Sequence, residues 1–229
     1  MKTDFFYKKA KGWFGVFLSI VFMFGVLYII GTTFCAASLE TEKVFYFLTS
    51  TSSHIQASTH NAQYLGGAGF ILKNDQREYV TYAVYTEESL AKQAYKSLKE
   101  QEEEICVLTI RAKNARILSK NQKKHATVYE SALCCLSAHI QLLNDEISRL
   151  ESGATQESTK RFLDIQMKQF SYMEKTYQKQ FAAFATVCQE SLTLMKEMHS
   201  TIVYVKDMRY LLCFLCQNYV DLVNGLHLK

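Results

Sequence analysis

Hydrophobic and polar positions between residues 44 and 111 alternate in a pattern that predicts an α+β domain. β-Branched and aromatic runs predict four strands, and apolar residues at helical spacing predict two helices. In chain order the predicted elements are a strand at 44–48, a helix at 55–65, strands at 70–72 and 79–84, a helix at 87–99 and a strand at 105–110. The order βαββαβ is that of a split βαβ sandwich, one antiparallel sheet with both helices on one face.

Two polar or glycine-rich stretches mark turns inside this domain. Gly66-Gly67 is expected to end the first helix, because glycine adopts positive φ without strain. Asn74-Asp75-Gln76 is expected to make the turn between the second and third strands. The same glycines do not make a phosphate-binding loop, since no Lys-Ser or Lys-Thr follows them and they do not open a helix.

Beyond residue 112 the apolar residues follow a helical repeat. Spacings of four and three residues run from Tyr129 to Leu150 and again from Phe170 to Met198, as in the seams of coiled coils. Ser152-Gly153 breaks the first helix, and Ser158 with Thr159 can cap the next. Residues 115–229 are therefore predicted to form an α-helical hairpin or bundle, with the apolar segment 202–226 either folding back as a third helix or binding a partner.

The amino-terminal region contains an uncharged apolar run from Gly12 to Ala37. Its length exceeds the roughly 20 residues that cross a bilayer as a helix, so a transmembrane helix over 12–37 is predicted. The lysines in residues 1–11 favour a cytoplasmic tail, leaving a linker at 38–43 and the bulk of the chain extracytoplasmic. The alternative is a signal peptide cleaved near Ala36-Ala37-Ser38, which the length of the run disfavours.

Composition and charge narrow the functional classes. The chain has 229 residues, no proline and a formal net charge of +4, part of which belongs to the amino-terminal lysines. That charge is too small to indicate nucleic acid, and no strand has the basic and aromatic pattern of an RNA-recognition motif. The absence of proline suits long uninterrupted helices.

The chain shows no motif for catalysis or metal binding. The six histidines are scattered, without an HExxH motif or a paired Cys/His spacing. Cys213 and Cys216 form a CxxC sequence, but they lie in the middle of an apolar helix and supply only two metal ligands. We interpret them as packing residues. The seven cysteines, an odd number on regular helices, do not suggest a disulfide framework. No enzyme activity, metal or cofactor is predicted.

Alternation along the strands also predicts which side chains share a face of the sheet. One set is expected under the two helices: Phe45, Phe47, Ile71, Val80, Tyr82, Val107 and Thr109. The other set is expected on the open face: Tyr46, Leu48, Ser50, Tyr79, Thr81, Cys106 and Leu108. Two tyrosines flanked by hydroxyls on an open face can bind sugar rings, because a phenol offers an apolar ring and a hydrogen-bonding tip. Alternatively, this face is covered by the carboxy-terminal helices or is simply solvated.

The domain resembles the SPOR family of peptidoglycan-binding domains over about residues 44–111. The resemblance rests on FYFLTSTSS followed by an Ala-containing helix, and on GGAGFILKNDQREYVTYAVYTEESLAKQAYKSLKE, with Ala91 and Ala94 on its helix. Family members usually carry Gln where Leu48 stands and Gly where Ser50 stands. On the third strand Ala83 replaces a usual Gly, while Tyr85 keeps the aromatic residue that follows.

This resemblance implies a membrane-anchored cell-envelope protein that binds peptidoglycan glycan strands in cell division or sporulation. The residues expected to bind glycan are Tyr46, Leu48, Ser50, Tyr79, Thr81 and Tyr85. The alternative is a non-catalytic scaffold that has lost glycan binding and uses its helical region to self-associate or to bind another envelope protein. The substitutions at Leu48 and Ser50 favour the alternative.

Overall fold

The computed structural model describes residues 37–38, 41–51, 55–100, 104–113, 116–117 and 125–227. The chain divides into two units, residues 1–38 and residues 39–229. Of the first unit, the described part is the two-residue strand Ala37–Ser38. The described part of the second unit holds a four-stranded sheet, six helices and the two-residue strand Arg116–Ile117.

The four-stranded sheet is antiparallel throughout. Its strand order is β2-β3-β1-β4, where the strands are β1 (Lys43–Ser50), β2 (Phe70–Asn74), β3 (Arg77–Tyr85) and β4 (Ile105–Ala112). Helix α1 (Ile55–Tyr64) connects β1 to β2, and α2 (Glu88–Lys99) connects β3 to β4. The observed order is the predicted βαββαβ, and the element bounds differ from the predicted ones by a residue or two.

Helix α1 ends in a glycine turn against β3. Gly66 has φ +81°, and its N–H donates to the Gln63 carbonyl at 3.2 Å while the Gly67 N–H donates to the Ala62 carbonyl at 2.7 Å. These are the two bonds of a Schellman motif. A Cβ at position 67 would lie 2.9 Å from the Ala62 oxygen and 2.9 Å from Tyr82 Cδ1. Gly67 therefore allows the end of α1 to lie directly on the sheet.

Both faces of the sheet are buried. The face toward α1 and α2 contributes Leu48, Val80, Tyr82 and Ile105 to one apolar cluster. The opposite face contributes Phe45, Phe47, Phe70, Leu72 and Val84 to a second, larger cluster shared with the carboxy-terminal helices. The face that the sequence predicted to be open is thus covered by the protein's own helices. Coverage by the carboxy-terminal helices was the alternative given for this face.

The predicted face assignment is wrong for β1. Phe45 and Phe47 lie on the face opposite to Val80 and Tyr82, and Leu48 lies with Val80. Alternation fixes which residues of one strand share a face, but it does not fix how the faces of two strands match when both faces are apolar. A bulge adds to the error, because Leu48 pairs with Ala83 while Thr49 pairs with Thr81, leaving one extra residue in β3.

Four helices follow the sheet: α3 (Ala126–Glu151), α4 (Gln156–Tyr177), α5 (Ala182–His199) and α6 (Val205–His227). Gly153, with φ +93°, makes the turn after α3. The cap of α4 is Thr155, whose side-chain oxygen accepts from the Ser158 N–H at 3.2 Å. The cap is therefore Thr155, and not Ser158 or Thr159 as predicted.

The second predicted seam, from Phe170 to Met198, is split between α4 and α5. The chain leaves α4 after Tyr177, and Phe181, at φ −145° and ψ 69°, precedes α5. Aromatic rings fill this corner, with centroids of Phe181 and Tyr129 4.7 Å apart and those of Tyr177 and Phe184 5.1 Å apart. Tertiary packing of these rings accounts for the break between α4 and α5. The sequence has no glycine or proline at this corner that would predict the break.

Helix α6 lies against the sheet face that carries Phe45 and Phe70. The Tyr219 ring meets Phe45 edge-on with centroids 5.8 Å apart, and Tyr210 meets Phe70 at 5.3 Å. The buried Tyr219 hydroxyl donates to the Thr41 carbonyl at 3.1 Å. These contacts bury aromatic area and satisfy the phenol, so α6 joins the sheet to the other three carboxy-terminal helices.

The predicted transmembrane helix and single-pass membrane localisation are not supported. Among the helices of the described residues, none is both long enough and apolar enough to cross a membrane. The predicted fold class was therefore wrong in including a membrane span. The predicted cytoplasmic tail and extracytoplasmic placement, which depend on that span, are withdrawn with it. Residues 1–36, which hold nearly all of the predicted tail and span, lie outside the described residues. The apolar side of α6 is used in packing on the sheet.

Candidate functional site

The six residues predicted to bind glycan do not share one face of the sheet. Tyr46 pairs with Tyr85 across β1 and β3, and Ser50 pairs with Val80, which places them with Leu48 on the side of α1 and α2. The other two predicted residues, Tyr79 and Thr81, belong to β3 on the side that packs against the carboxy-terminal helices.

Burial divides the same set further. Leu48, Ser50 and Thr81 are only 2%, 3% and 0% exposed, whereas the three tyrosines are half-buried. A ligand at the surface can reach the tyrosines, but it cannot reach Ser50 or Thr81 without displacing packed structure. The structure therefore does not bring the six predicted residues together in one site, but Tyr85 lines a groove at the surface.

Tyr85 lines two adjoining cavities at the end of β3. Their volumes are about 190 Å³ and 320 Å³, and both are lined by Tyr85, Ala94, Ser97 and Arg209. We call the joined space the Tyr85 groove. Leu48 forms part of the floor of the smaller cavity.

Small side chains on α2 make room for the groove. Ala91 is fully buried against the sheet, and Ala94, one turn of helix later, lines the groove itself. A helix with alanines on its inner stripe approaches the sheet closely and leaves space where the strand ends. Tyr85 is the last residue of β3, so its ring projects into that space.

The rim of the groove carries polar groups that can recognise hydroxyls and amides. Helix α2 supplies Gln93 and Ser97, and α3 supplies Asn144 and Ser148. Amide and hydroxyl side chains both donate and accept hydrogen bonds. Together with the Tyr85 ring, this is the combination of flat apolar surface and convergent polar groups found in small-molecule sites.

Arg209 of α6 closes one side of the groove. Its Nη1 donates to the Gly66 carbonyl at 2.8 Å, and its Nη2 donates to Glu151 Oε1 at 2.7 Å. The guanidinium thus ties α6 both to the end of α1 and to the end of α3. It carries five N–H donors, so these two bonds do not exhaust its capacity. Burial raises the pKa of the Tyr85 hydroxyl, although nearby Arg209 opposes the shift, so this hydroxyl stays protonated at neutral pH.

Arg209, Glu151, Gln93, Asn144 and Ser148 were not found from the sequence. They come from three helices, and periodicity cannot bring residues on separate helices to one groove. One signal was available: Arg209 interrupts an apolar segment, where a charge needs a specific partner.

Three cysteines of the helical region, Cys188, Cys213 and Cys216, are buried packing residues, whereas Cys134 is exposed and Cys135 is half-buried. The six described cysteines are free thiols. Burial raises the pKa of the Cys213 and Cys216 thiols and raises that of Cys188 to about 12. A thiol that does not ionise is a poor nucleophile and a poor metal ligand. Within the part of the chain that the structure describes, no three His, Cys, Asp or Glu side chains are placed to hold a metal ion.

No protein-family model, curated protein or solved structure matches this chain. The resemblance to the SPOR family therefore rests on the sequence stretches quoted above and stays a prediction.

Proposed function

We propose that this chain is a non-catalytic glycan-binding protein that holds a segment of a peptidoglycan glycan strand in the Tyr85 groove. The observation that carries the proposal is that Tyr85, a residue singled out by the family resemblance, lines an accessible groove. A role in cell division or sporulation would follow from the same resemblance.

The groove offers what a glycan needs. A sugar ring presents an apolar face to an aromatic side chain, and its hydroxyl and acetamido groups require hydrogen-bond partners at the edge. Tyr85 supplies the ring, while Gln93, Ser97 and Asn144 supply polar groups from two helices. Because β3, α2 and α3 are regular elements, these groups are held in place before a ligand binds.

The groove replaces the open sheet face as the expected binding surface. Helix α6 covers the face that carries Phe45 and Phe70, and Thr81 on β3 is fully buried. Binding there would require α6 to leave the sheet and expose its apolar side, which costs far more than one ligand contact returns.

The test is co-sedimentation of the purified full-length chain with peptidoglycan sacculi. We expect the wild type in the pellet, and we expect Tyr85→Ala to weaken its binding about tenfold, equivalent to about 1.4 kcal/mol. Tyr172→Ala is the matched control, because Tyr172 is 71% exposed on α4 and does not line the groove. Circular dichroism of each variant checks folding. Absence of the wild type from the pellet, or equal binding by Tyr85→Ala, would contradict the proposal.

A second candidate function is that of a scaffold that no longer binds glycan. The observation that favours it is the covering of the sheet by α6, which turns a potential ligand surface into a structural interface. A scaffold would give a defined oligomer or a protein complex in light scattering and no sacculus binding. A monomer that sediments with sacculi would exclude this candidate.

A further inference from the structure

Helix α4 carries a line of side chains at coiled-coil spacing on its outward side as well as on its inward side. The inward line packs in the bundle, and its members are buried at alternating steps of four and three residues: Thr159, Leu163, Gln166, Phe170 and Met173. The same steps recur two residues later, on the opposite side of the helix, where every member is exposed: Arg161, Ile165, Lys168, Tyr172 and Lys175. We call these five residues the α4 stripe.

The spacing holds the α4 stripe close to one line along the helix. Steps of four and three average 3.5 residues, which nearly equals one α-helical turn. The stripe runs from Arg161 to Lys175, or about 21 Å along the axis at 1.5 Å per residue. Its cations stand at every seventh position, about 10 Å apart, and one apolar side chain lies between each pair.

The two apolar members of the stripe are conspicuously accessible. Ile165 is 54% exposed and Tyr172 is 71% exposed. The outward side of a helix in a globular protein is ordinarily polar, because its side chains remain in water. A partner that covered both side chains would therefore gain from removing apolar area from water.

The acids of α4 neutralise the stripe only at its beginning. Arg161 bonds to Glu157 one turn earlier. Asp164 contacts α5 instead, with its Oδ1 atom 3.3 Å from the imidazole Nε2 of the last residue of that helix. Lys168 and Lys175 form no ion pair with any residue that the structure describes. The stripe thus combines uncompensated positive charge with exposed apolar surface.

Independently of glycan binding, we infer that the α4 stripe is the docking surface for an acidic amphipathic helix of a partner protein. Carboxylates of the partner pair with Lys168 and Lys175. Its apolar side chains cover Ile165 and Tyr172. A helix repeats its side chains at the same steps of four and three, so it can match the stripe over its whole length. Charge complementarity selects an acidic helix over a neutral or basic one.

Two other occupants fit this surface less well. A second copy of the chain, joined stripe to stripe, would place Lys168 and Lys175 against like charges. An anionic lipid surface would meet the carboxylates of Glu157 and Asp164 beside the stripe, and two apolar side chains offer little area for insertion. Both occupants are distinguished from an acidic helix by the experiment.

The test measures binding of fluorescent synthetic helices to the full-length chain by anisotropy. One peptide carries three heptads with glutamate and leucine at the spacing of the stripe, and a matched peptide has glutamine in place of glutamate. We expect wild type to prefer the glutamate peptide about fivefold, the scale of two exposed ion pairs. Lys168→Glu with Lys175→Glu should remove this preference.

Matched variants separate the stripe from charge in general. Lys96→Glu with Lys196→Glu makes the same change in net charge at exposed positions on α2 and α5, and it should keep the preference. Tyr172→Ala should weaken binding of both peptides and leave sacculus binding unchanged. Because every substituted side chain is exposed, folding should be retained, and circular dichroism checks it.

Each contrary result overturns the inference. Failure of wild type to bind the glutamate peptide would do so, as would equal affinity for the two peptides or an unchanged preference in the Lys168→Glu, Lys175→Glu variant. Binding to phosphatidylglycerol-containing vesicles but not to the peptides, lost in this variant, would assign the stripe to a lipid surface. Self-association lost in this variant would assign it to a second copy. Glycan binding is measured separately, so neither result decides the other.

Discussion

At the scale of single residues, the structure separates side chains that a ligand can reach from side chains that hold the sheet together. Thr81 shows the difference. It belongs to the predicted glycan-binding set, yet it is 0% exposed, and its hydroxyl has no hydrogen-bond partner among the described residues. A buried hydroxyl without a partner lowers stability, because it has lost its bonds to water.

Replacing Thr81 with valine should therefore stabilise the protein. Valine keeps the β-branched shape that suits a strand and removes the unpartnered oxygen. We expect Thr81→Val to raise the free energy of unfolding by about 1–2 kcal/mol in urea titrations and to leave sacculus binding unchanged. A loss of binding with unchanged stability would show instead that Thr81 contacts the ligand.

Residue-level prediction from the sequence succeeded where one residue type decides the local geometry. Gly66 was expected to end α1, and it does so at φ +81°. Prediction failed where a role depends on neighbours distant in sequence. Arg209 and Gly66 are 143 positions apart, and no local pattern could have paired them.

At the scale of elements, two buried polar contacts join α3 to α4. His139 donates from Nδ1 to Gln166 Oε1 at 2.6 Å, and Thr159 donates to Glu146 Oε1 at 3.1 Å. Arg149 adds a bond to the other Glu146 oxygen at 2.6 Å. The two contacts are seven residues apart on each helix, so sliding α4 by one heptad would leave buried polar groups without partners. We expect them to fix the register of the hairpin.

The His139 contact makes the stability of this hairpin dependent on pH. Burial lowers the pKa of His139 below its ordinary value of 6.5, although the bond to Gln166 opposes the shift. The unfolded chain therefore takes up this proton first as the pH falls, so stability decreases below pH 6.5 until the folded pKa is passed.

His139→Gln should remove this contribution, since glutamine can bond to Gln166 and does not titrate. Urea unfolding of both proteins at about one pH unit above and below 6.5 measures it. We expect the wild type to lose more stability on acidification over this range than the variant, by up to about 1.4 kcal/mol. Equal losses in the two proteins would show that His139 is not responsible.

Element prediction was accurate where hydrophobic period and turn residues agreed, as in the four strands and in α1 and α2. It missed the separation of α4 from α5, because the heptad spacing continues from Phe170 to Met198 through the corner. The chain turns there because Phe181 and Phe184 pack with Tyr129 and Tyr177. That contact joins three helices, so it does not appear in the period of any one helix.

At the scale of the whole molecule, α6 decides what the rest of the fold can do. The sequence indicated an apolar final segment but could not indicate its partner, and the sheet presented an apolar face whose cover was equally unspecified. In the structure α6 covers this sheet face, with Tyr219 packed on Phe45 and Tyr210 packed on Phe70. The sheet face is closed, and the accessible Tyr85 groove lies beside α6, where Arg209 bonds to Gly66 in the turn after α1.

The most direct test of this account is hydrogen–deuterium exchange of the full-length chain with and without a glycan oligomer of the peptidoglycan repeat. We expect the ligand to slow exchange in α2, in the glycine turn after α1 and around Arg209 of α6, which border the Tyr85 groove. Slowed exchange confined to β1 and β4, with α2 and α6 unchanged, would place the ligand on the sheet and contradict the account.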